Sequence, residues 1–165
     1  MVSAVVRAEL ERVDWAALEC GCGGSAEHVP LLIETIITAG TPRDMIGYTL
    51  DGHVEVGTVV FACTPPAVSV IMAALAGELS ALARGVLLQT LSFVAASSDG
   101  SGLEAACRRN AQQGFWDLVG IGLTGTADDA ETVADICEFF GLGGEKSAFY
   151  QARLRARMRE KTKRR

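Results

Sequence analysis

The stretch Ser25-Ala26-Glu27-His28-Val29-Pro30-Leu31-Leu32-Ile33-Glu34-Thr35-Ile36-Ile37-Thr38-Ala39-Gly40 decides the fold class of this 165-residue chain. Val29, Leu32, Ile33, Ile36 and Ile37 recur at i, i+3, i+4, i+7 and i+8, which lays one continuous apolar stripe along a helix. Ser25 is suited to cap that helix, Glu27 puts an acid in its first turn, and Gly40 closes its far end. Pro30 lies beyond the first turn of a helix begun at Ser25, so a start nearer Val29 is the alternative, with a longer and freer loop before it.

The same grammar recurs along the chain. Thr41-Pro42-Arg43-Asp44 supplies a cap, a proline and an acid for a second helix through Met45, Ile46 and Leu50, turned back on the first as a hairpin. Thr64-Pro65-Pro66 opens a helix carrying Val68, Ile71, Met72 and Leu75 and ending at Gly77. Its partner covers about 81–96, with Leu87, Leu88, Leu91 and Val94 inward, and the Ser97-Ser98-Asp99-Gly100 cluster breaks it.

A third unit opens at Ser101, with Glu104 as its capping-box partner, and runs through Ala106 and Cys107 into a glycine-containing stretch at Gly114, Gly120 and Gly122. Its stripe is the weakest of the set. Thr126 with Asp129 then starts a helix carrying Val133, Ile136, Cys137 and Phe140; Gly141, Gly143 and Gly144 stop it, and a last helix runs from about Glu145 into the tail.

Ser25, Thr64 and Ser101 stand 39 and 37 residues apart, each opening a unit of two helical segments. A period near 40 built of helix pairs predicts an all-α fold, a short right-handed α-solenoid of about three pairs over residues 1–152. Residues 1–15 and the last helix then cap the exposed ends, or the chain forms a homodimer there. An irregular α-helical bundle with a small hairpin near 53–62 is the alternative, because Gly52-His53-Val54-Glu55-Val56-Gly57-Thr58-Val59-Val60-Phe61-Ala62-Cys63 suits a helix poorly. A long connection between repeats reaches partners, which makes His53, Glu55, Thr58 and Phe61 the candidate partner-binding residues. The competing reading is a connector that packs Val59 and Phe61 against the first pair.

With 49% hydrophobic and 6% aromatic residues the chain suits one compact domain with an aliphatic core. Glu78, Arg84 and Gln89 interrupt the apolar runs, so no membrane span is expected, and with no leader visible the expected location is the cytoplasm. An odd count of five cysteines at unrelated spacings predicts no disulfide framework; Cys107 and Cys137 read as small buried hydrophobes. Trp15 and Trp116 sit amid aliphatic residues and are expected to fill gaps between helices.

The net charge of -5 is unevenly spread. Residues 1–152 hold seven Lys or Arg against nineteen Asp or Glu, a balance of -12, whereas 153–165 hold eight against one, a balance of +7. Such a tail suits nucleic acid or an acidic surface, but no aromatic residue is interleaved among its cations for stacking on bases, and a solvated last helix is the preferred reading.

The residue types raise three chemistries. Cys20, Cys22 and His28 could offer three metal ligands, with Cys63 or His53 brought in from elsewhere; a single residue between the cysteines and the lack of a second pair argue against it, so no metal or cofactor is expected. Gly21-Cys22-Gly23-Gly24-Ser25 lacks the lysine of a phosphate loop. No nucleophile elbow or paired-histidine helix is present, and a pairing of Cys63 with His53 is the remaining arrangement, so no catalytic residue is assigned and no enzyme is expected.

Asp14-Trp15 with Leu18, Gly24-Ser25-Ala26 before Val29-Pro30, and His53 with Gly57-Thr58-Val59 and Ala62-Cys63-Thr64 before Ala67-Val68 together resemble a group of bacterial HEAT-like repeat proteins, some encoded beside polymorphic toxins. These residues span about a third of the chain. It departs from the family's histidine-glutamine-glycine-threonine run, since His53 stands four residues before Gly57, Cys63 intervenes between Ala62 and Thr64, and Ser69 replaces a proline. The resemblance implies a HEAT-like fold and a non-enzymatic, protein-binding role, in its specific form an immunity protein whose acidic surface takes a basic toxin. A nucleic-acid-associated protein using residues 153–165 is the alternative.

Overall fold

A computed structural model describes residues 1–98 and 100–162, with the side chains of 159–162 outside the description. Asp99 and the last cations of the tail, Lys163, Arg164 and Arg165, lie outside the described residues. The chain is mostly helical, with eight α-helices among the described residues and one two-stranded hairpin. None of those helices is long and apolar enough to cross a membrane.

Helix α1, Ala4–Glu11, is capped by the Ser3 hydroxyl and buries Val6 and Leu10. Trp15 in the following turn is buried and donates its indole N–H to the Leu10 carbonyl at 2.9 Å, filling the gap expected of it. Helix α2, Val29–Thr38, starts later than Ser25, with His28 at its mouth and Pro30 in its first turn. Ser25 is committed elsewhere: it pairs with Glu19 in an antiparallel bridge, and Ala26 donates to the Leu18 carbonyl at 2.9 Å. The predicted stripe faces inward, with Val29, Leu32, Ile33, Ile36 and Ile37 all buried.

The expected second helix is absent. Thr41 and Asp44 do form a capping box, the Asp44 carboxylate accepting from the backbone N–H groups of Thr41 at 2.7 Å and Gly40 at 2.9 Å. It starts only a 3₁₀ turn, Pro42–Met45, and Gly47 then turns the chain with φ +82°. Ile46 and Tyr48 are exposed and only Leu50 is buried, so too little apolar surface is covered to offset the ordering of another two turns.

Strands β1, Glu55–Val56, and β2, Val59–Val60, form an antiparallel hairpin in register Glu55↔Val60 and Val56↔Val59. Gly57, with φ +63°, takes the first position of its two-residue loop, where glycine is favoured. This matches the small hairpin foreseen near 53–62, although Val54 and Val60, not Val59, are the buried residues.

Helix α3, Thr64–Leu75, is buried nearly all round, which its composition of Val, Ile, Met, Ala and Leu permits. Thr64 is its first helical residue, not its cap: the hydroxyl accepts from the Phe61 N–H and donates to the Val54 carbonyl, joining the helix to the hairpin. Helix α4, Ala81–Ala96, has the predicted bounds and buries Leu87, Leu88, Leu91 and Val94.

Helix α5, Leu103–Gln113, begins after a left-handed Gly102, one residue later than a cap at Ser101 would place it, and Glu104 accepts from the N–H groups of Gly100 and Gly102. The glycine stretch that follows is helical: α6, Phe115–Thr124, runs straight through Gly120 and Gly122. Gly122 has a packing reason, since a Cβ there would lie 2.5 Å from Leu154 and 3.2 Å from Val133. Helix α7, Ala127–Phe139, carries the predicted Thr126–Asp129 box, and Arg84 of α4 reaches the Asp129 carboxylate at 3.2 Å. A 3₁₀ turn, Gly144–Lys146, leads into α8, Ser147–Thr162.

Helices α1, α3 and α5 lie side by side in one row, α2, α4 and α7 in a second, and α6 and α8 close against α7. Leu154 is wholly buried, and Arg155 bridges Asp135 and Glu138 at 2.8 Å each, so α8 is seated on the acidic body through its start and middle.

Leu154→Ala is expected to cost about 2–5 kcal/mol of stability, the range for buried leucine truncation, read as a lower denaturant midpoint. The backbone N–H bonds hold the Asp44 carboxyl below its ordinary pKa, so its contribution is present above the ordinary carboxylate range and lost as the pH falls through the depressed value. Asp44→Ala should therefore lower Tm at neutral pH, and the gap from the parent should close in acid.

Candidate functional site

The loop between Trp15 and α2 is a tight return. Cys20 donates its N–H to the Gly24 carbonyl at 2.9 Å, and Gly23, with φ +84°, donates to the Cys20 carbonyl at 3.0 Å. Gly21 allows this loop to lie directly on the segment before the hairpin. Its N–H donates to the His53 carbonyl at 2.8 Å, and a Cβ there would meet the Gly52 carbonyl oxygen and the Phe61 ring, each at 2.8 Å. His28 arrives from the mouth of α2, and His53 is turned inward by N–H bonds from itself and Val54 to the Leu50 carbonyl.

These three segments gather four soft donors. The Cys20 sulfur lies 3.5 Å from His28 Nε2 and 3.4 Å from His53 Nδ1; the Cys22 sulfur lies 3.9 Å from His28 Nε2; the two imidazole nitrogens are 2.8 Å apart. All four ligand atoms fall within 4.8 Å of one another. Cys20 is buried, the two histidines are half-buried, and Cys22 is exposed. Cys63 stands behind the group and is no part of it: its sulfur and that of Cys20 both donate to the His53 carbonyl, at 3.6 and 3.5 Å.

Burial raises the Cys20 thiol above its ordinary pKa, and burial together with the nearby His28 lowers that of His53. Cys63 is pushed up to about 12 by burial and by the neighbouring Cys20. Imidazoles beside thiols are a ligand set for a soft cation.

The sequence offers all of these residues as a possible ligand set and argues against it from the cysteine spacing. Cys20, Cys22 and His28 come together with His53, the distant histidine considered as a fourth ligand, and the objection from cysteine spacing loses its force because histidines from two other segments complete the set. Of the four partner-binding candidates, His53 is in this cluster and Phe61 is half-buried against Gly21. Thr58 alone is exposed, at the hairpin tip. Glu55 is corrected: at 3% exposure its side chain is turned inward, where burial and the adjacent Asp51 raise its pKa, and it presents no carboxylate to a partner.

A second feature escaped sequence reasoning. Trp116 fills no gap; it is 54% exposed, on α6, edge to face with Tyr150 of α8 at 5.5 Å between ring centroids. Phe115 and Phe149 extend the cluster, Phe149 being 57% exposed, while Lys146 lies over the Trp116 ring and Arg153 over Phe149. The signal available was the spacing of Phe149 and Tyr150 from a tryptophan over thirty residues away, which only the α6–α8 contact makes meaningful.

Comparison of the chain with protein-family models, with curated proteins and with solved structures finds no match. The HEAT-like resemblance therefore rests on the quoted residues alone.

Cys107 is fully buried, and Cys137 is pushed up to about 11 by burial. In the folded protein at neutral pH iodoacetamide should leave Cys63, Cys107 and Cys137 unlabelled, and in denaturant all five cysteines should react; mass spectrometry of tryptic peptides reads the pattern.

Proposed function

We propose that this protein is a non-enzymatic protein-binding scaffold, a short right-handed solenoid of HEAT-like helix pairs that works in the cytoplasm. The single observation that carries the binding role is the exposed aromatic cluster of Trp116, Phe149 and Tyr150 with Lys146 and Arg153 over its rings. Tryptophan, tyrosine and arginine dominate the energetics of protein interfaces, and rings held edge to face lose little conformational freedom on binding. Two rows of helices, α1–α3–α5 and α2–α4–α7, support the solenoid reading by their side-by-side packing.

The partner is a basic protein. The balance of -12 over residues 1–152 steers such a partner to the body, and a toxin that attacks nucleic acid is the specific form, with this chain as its immunity protein. The tail favours the nucleic-acid alternative less, because Arg155 is held by Asp135 and Glu138 and Arg157 donates to the Gly125 carbonyl at 2.7 Å. Two of its cations thus serve the protein itself.

Products of the genes adjoining its own are the test. One of them is expected to bind the purified chain and to lose its toxicity on co-expression. Trp116→Ala combined with Phe149→Ala should weaken that binding roughly tenfold or more, the effect of losing an interface anchor, at unchanged Tm. Failure of every adjoining product to bind ends the immunity reading.

A further inference from the structure

We propose that Cys20, Cys22, His28 and His53 bind one zinc ion, a structural site that ties the loop before α2, the mouth of α2 and the segment before the hairpin into one unit. The geometry points to it directly. With zinc–sulfur bonds of about 2.3 Å and zinc–nitrogen bonds of about 2.05 Å, a tetrahedral site has sulfur–nitrogen edges of about 3.55 Å and a nitrogen–nitrogen edge of about 3.35 Å. The observed sulfur–nitrogen separations of 3.4, 3.5 and 3.9 Å bracket the first, and the nitrogen pair at 2.8 Å has to open by only about half an ångström to meet the second.

The donor set selects the metal. Two thiolates with two imidazoles are ligands for zinc, whereas calcium and magnesium take oxygens. Four donor atoms within 4.8 Å of one another surround one ion and leave no room for an iron–sulfur cluster between them. Binding proceeds by exchange without redox change: each thiol gives up its proton to solvent as its sulfur takes a coordination position, and the neutral imidazoles bind through His28 Nε2 and His53 Nδ1.

Four protein ligands fill the tetrahedron, which marks the ion as structural. Its place in the fold agrees. Residues 12–28 and 39–63 are the parts of the N-terminal half without α-helix, and the four donors lie in those two stretches alone. The site stands apart from the aromatic cluster on α6 and α8, so the proposal does not depend on the binding role.

The test uses the full chain with zinc or cobalt(II) as the only probe. Protein purified without chelator is expected to carry one zinc per chain, and the chelated protein should take up one cobalt with the intense visible bands of tetrahedral coordination and the charge-transfer bands of two thiolates. Zinc should raise Tm over the chelated form and protect the exposed Cys22 from iodoacetamide. Cys22→Ser is the informative variant, because an exposed residue is replaced with no loss of core packing; it should weaken zinc binding by more than about 100-fold, beyond the effect of losing an outer partner, at an unchanged far-ultraviolet spectrum. Cys63→Ala should bind zinc with the same stoichiometry as the parent. Cobalt spectra without tetrahedral bands, or zinc affinity in Cys22→Ser equal to that of the parent, would overturn the proposal. Should Cys22→Ser not fold, the pattern of thiol protection in the parent decides, and equal labelling of the exposed Cys22 with and without zinc counts against the site.

Discussion

The carbonyl oxygen of His53 is the point on which the N-terminal half of the molecule is assembled. It accepts the Gly21 N–H at 2.8 Å and faces the sulfurs of Cys20 and Cys63 at 3.5 and 3.6 Å. A buried carbonyl without donors would cost about 1–3 kcal/mol, so the segment before the hairpin is stable in this position only with the Cys20–Gly24 return against it. Gly21 is the residue that permits the approach, because any side chain there would strike the Gly52 carbonyl and the Phe61 ring. One backbone oxygen thus couples the loop before α2, the hairpin and, through Cys63, the start of α3.

Where helices bury a regular stripe, the sequence was sufficient. The five apolar residues of α2, the bounds of α4 and the capping box of α7 were all legible, since each follows from a local period and a local cap. The failures have different causes. Ser25 was drawn into a bridge with nearby Glu19, the cap at Asp44 had no stripe to extend it, and α6 keeps its helix through two glycines because Gly122 lets Leu154 and Val133 close on it. Only in the last did a contact distant in sequence override the local preference. The period near forty residues predicted a helix pair in the first unit, and there the second helix is replaced by a 3₁₀ turn and the hairpin.

The candidate site was legible as a set of residue types and illegible as a geometry. Metal motifs are recognised by ligands spaced along a chain, and Cys-Gly-Cys fits no common knuckle. His53, placed with partner-binding residues because its segment is extended, contributes instead through a turn at Leu50 that no short-range pattern announces. The aromatic cluster is the converse. Trp116 sits in an apolar run and reads as core, yet it is exposed on α6, and the rings against it are its neighbour Phe115 and Tyr150 of α8.

The two halves of the chain reach order by different means. From α3 onward each helix is covered by neighbours, and burial of aliphatic side chains at about 25 cal/mol per Å² is a sufficient source of stability. Ahead of α3 only α1 and α2 supply regular stripes, and about forty residues are turns, 3₁₀ segments and a hairpin of two residues per strand, elements that are marginal on their own. A cross-link placed at the intersection of those segments restricts the unfolded chain where the core restricts it least, and four ligands drawn from positions 20 to 53 close loops of that order. The location of the Cys and His residues is thereby tied to the shortage of core around them. Cys107 and Cys137, in the well-packed half, are buried and lie outside the four-residue ligand group found among the described residues.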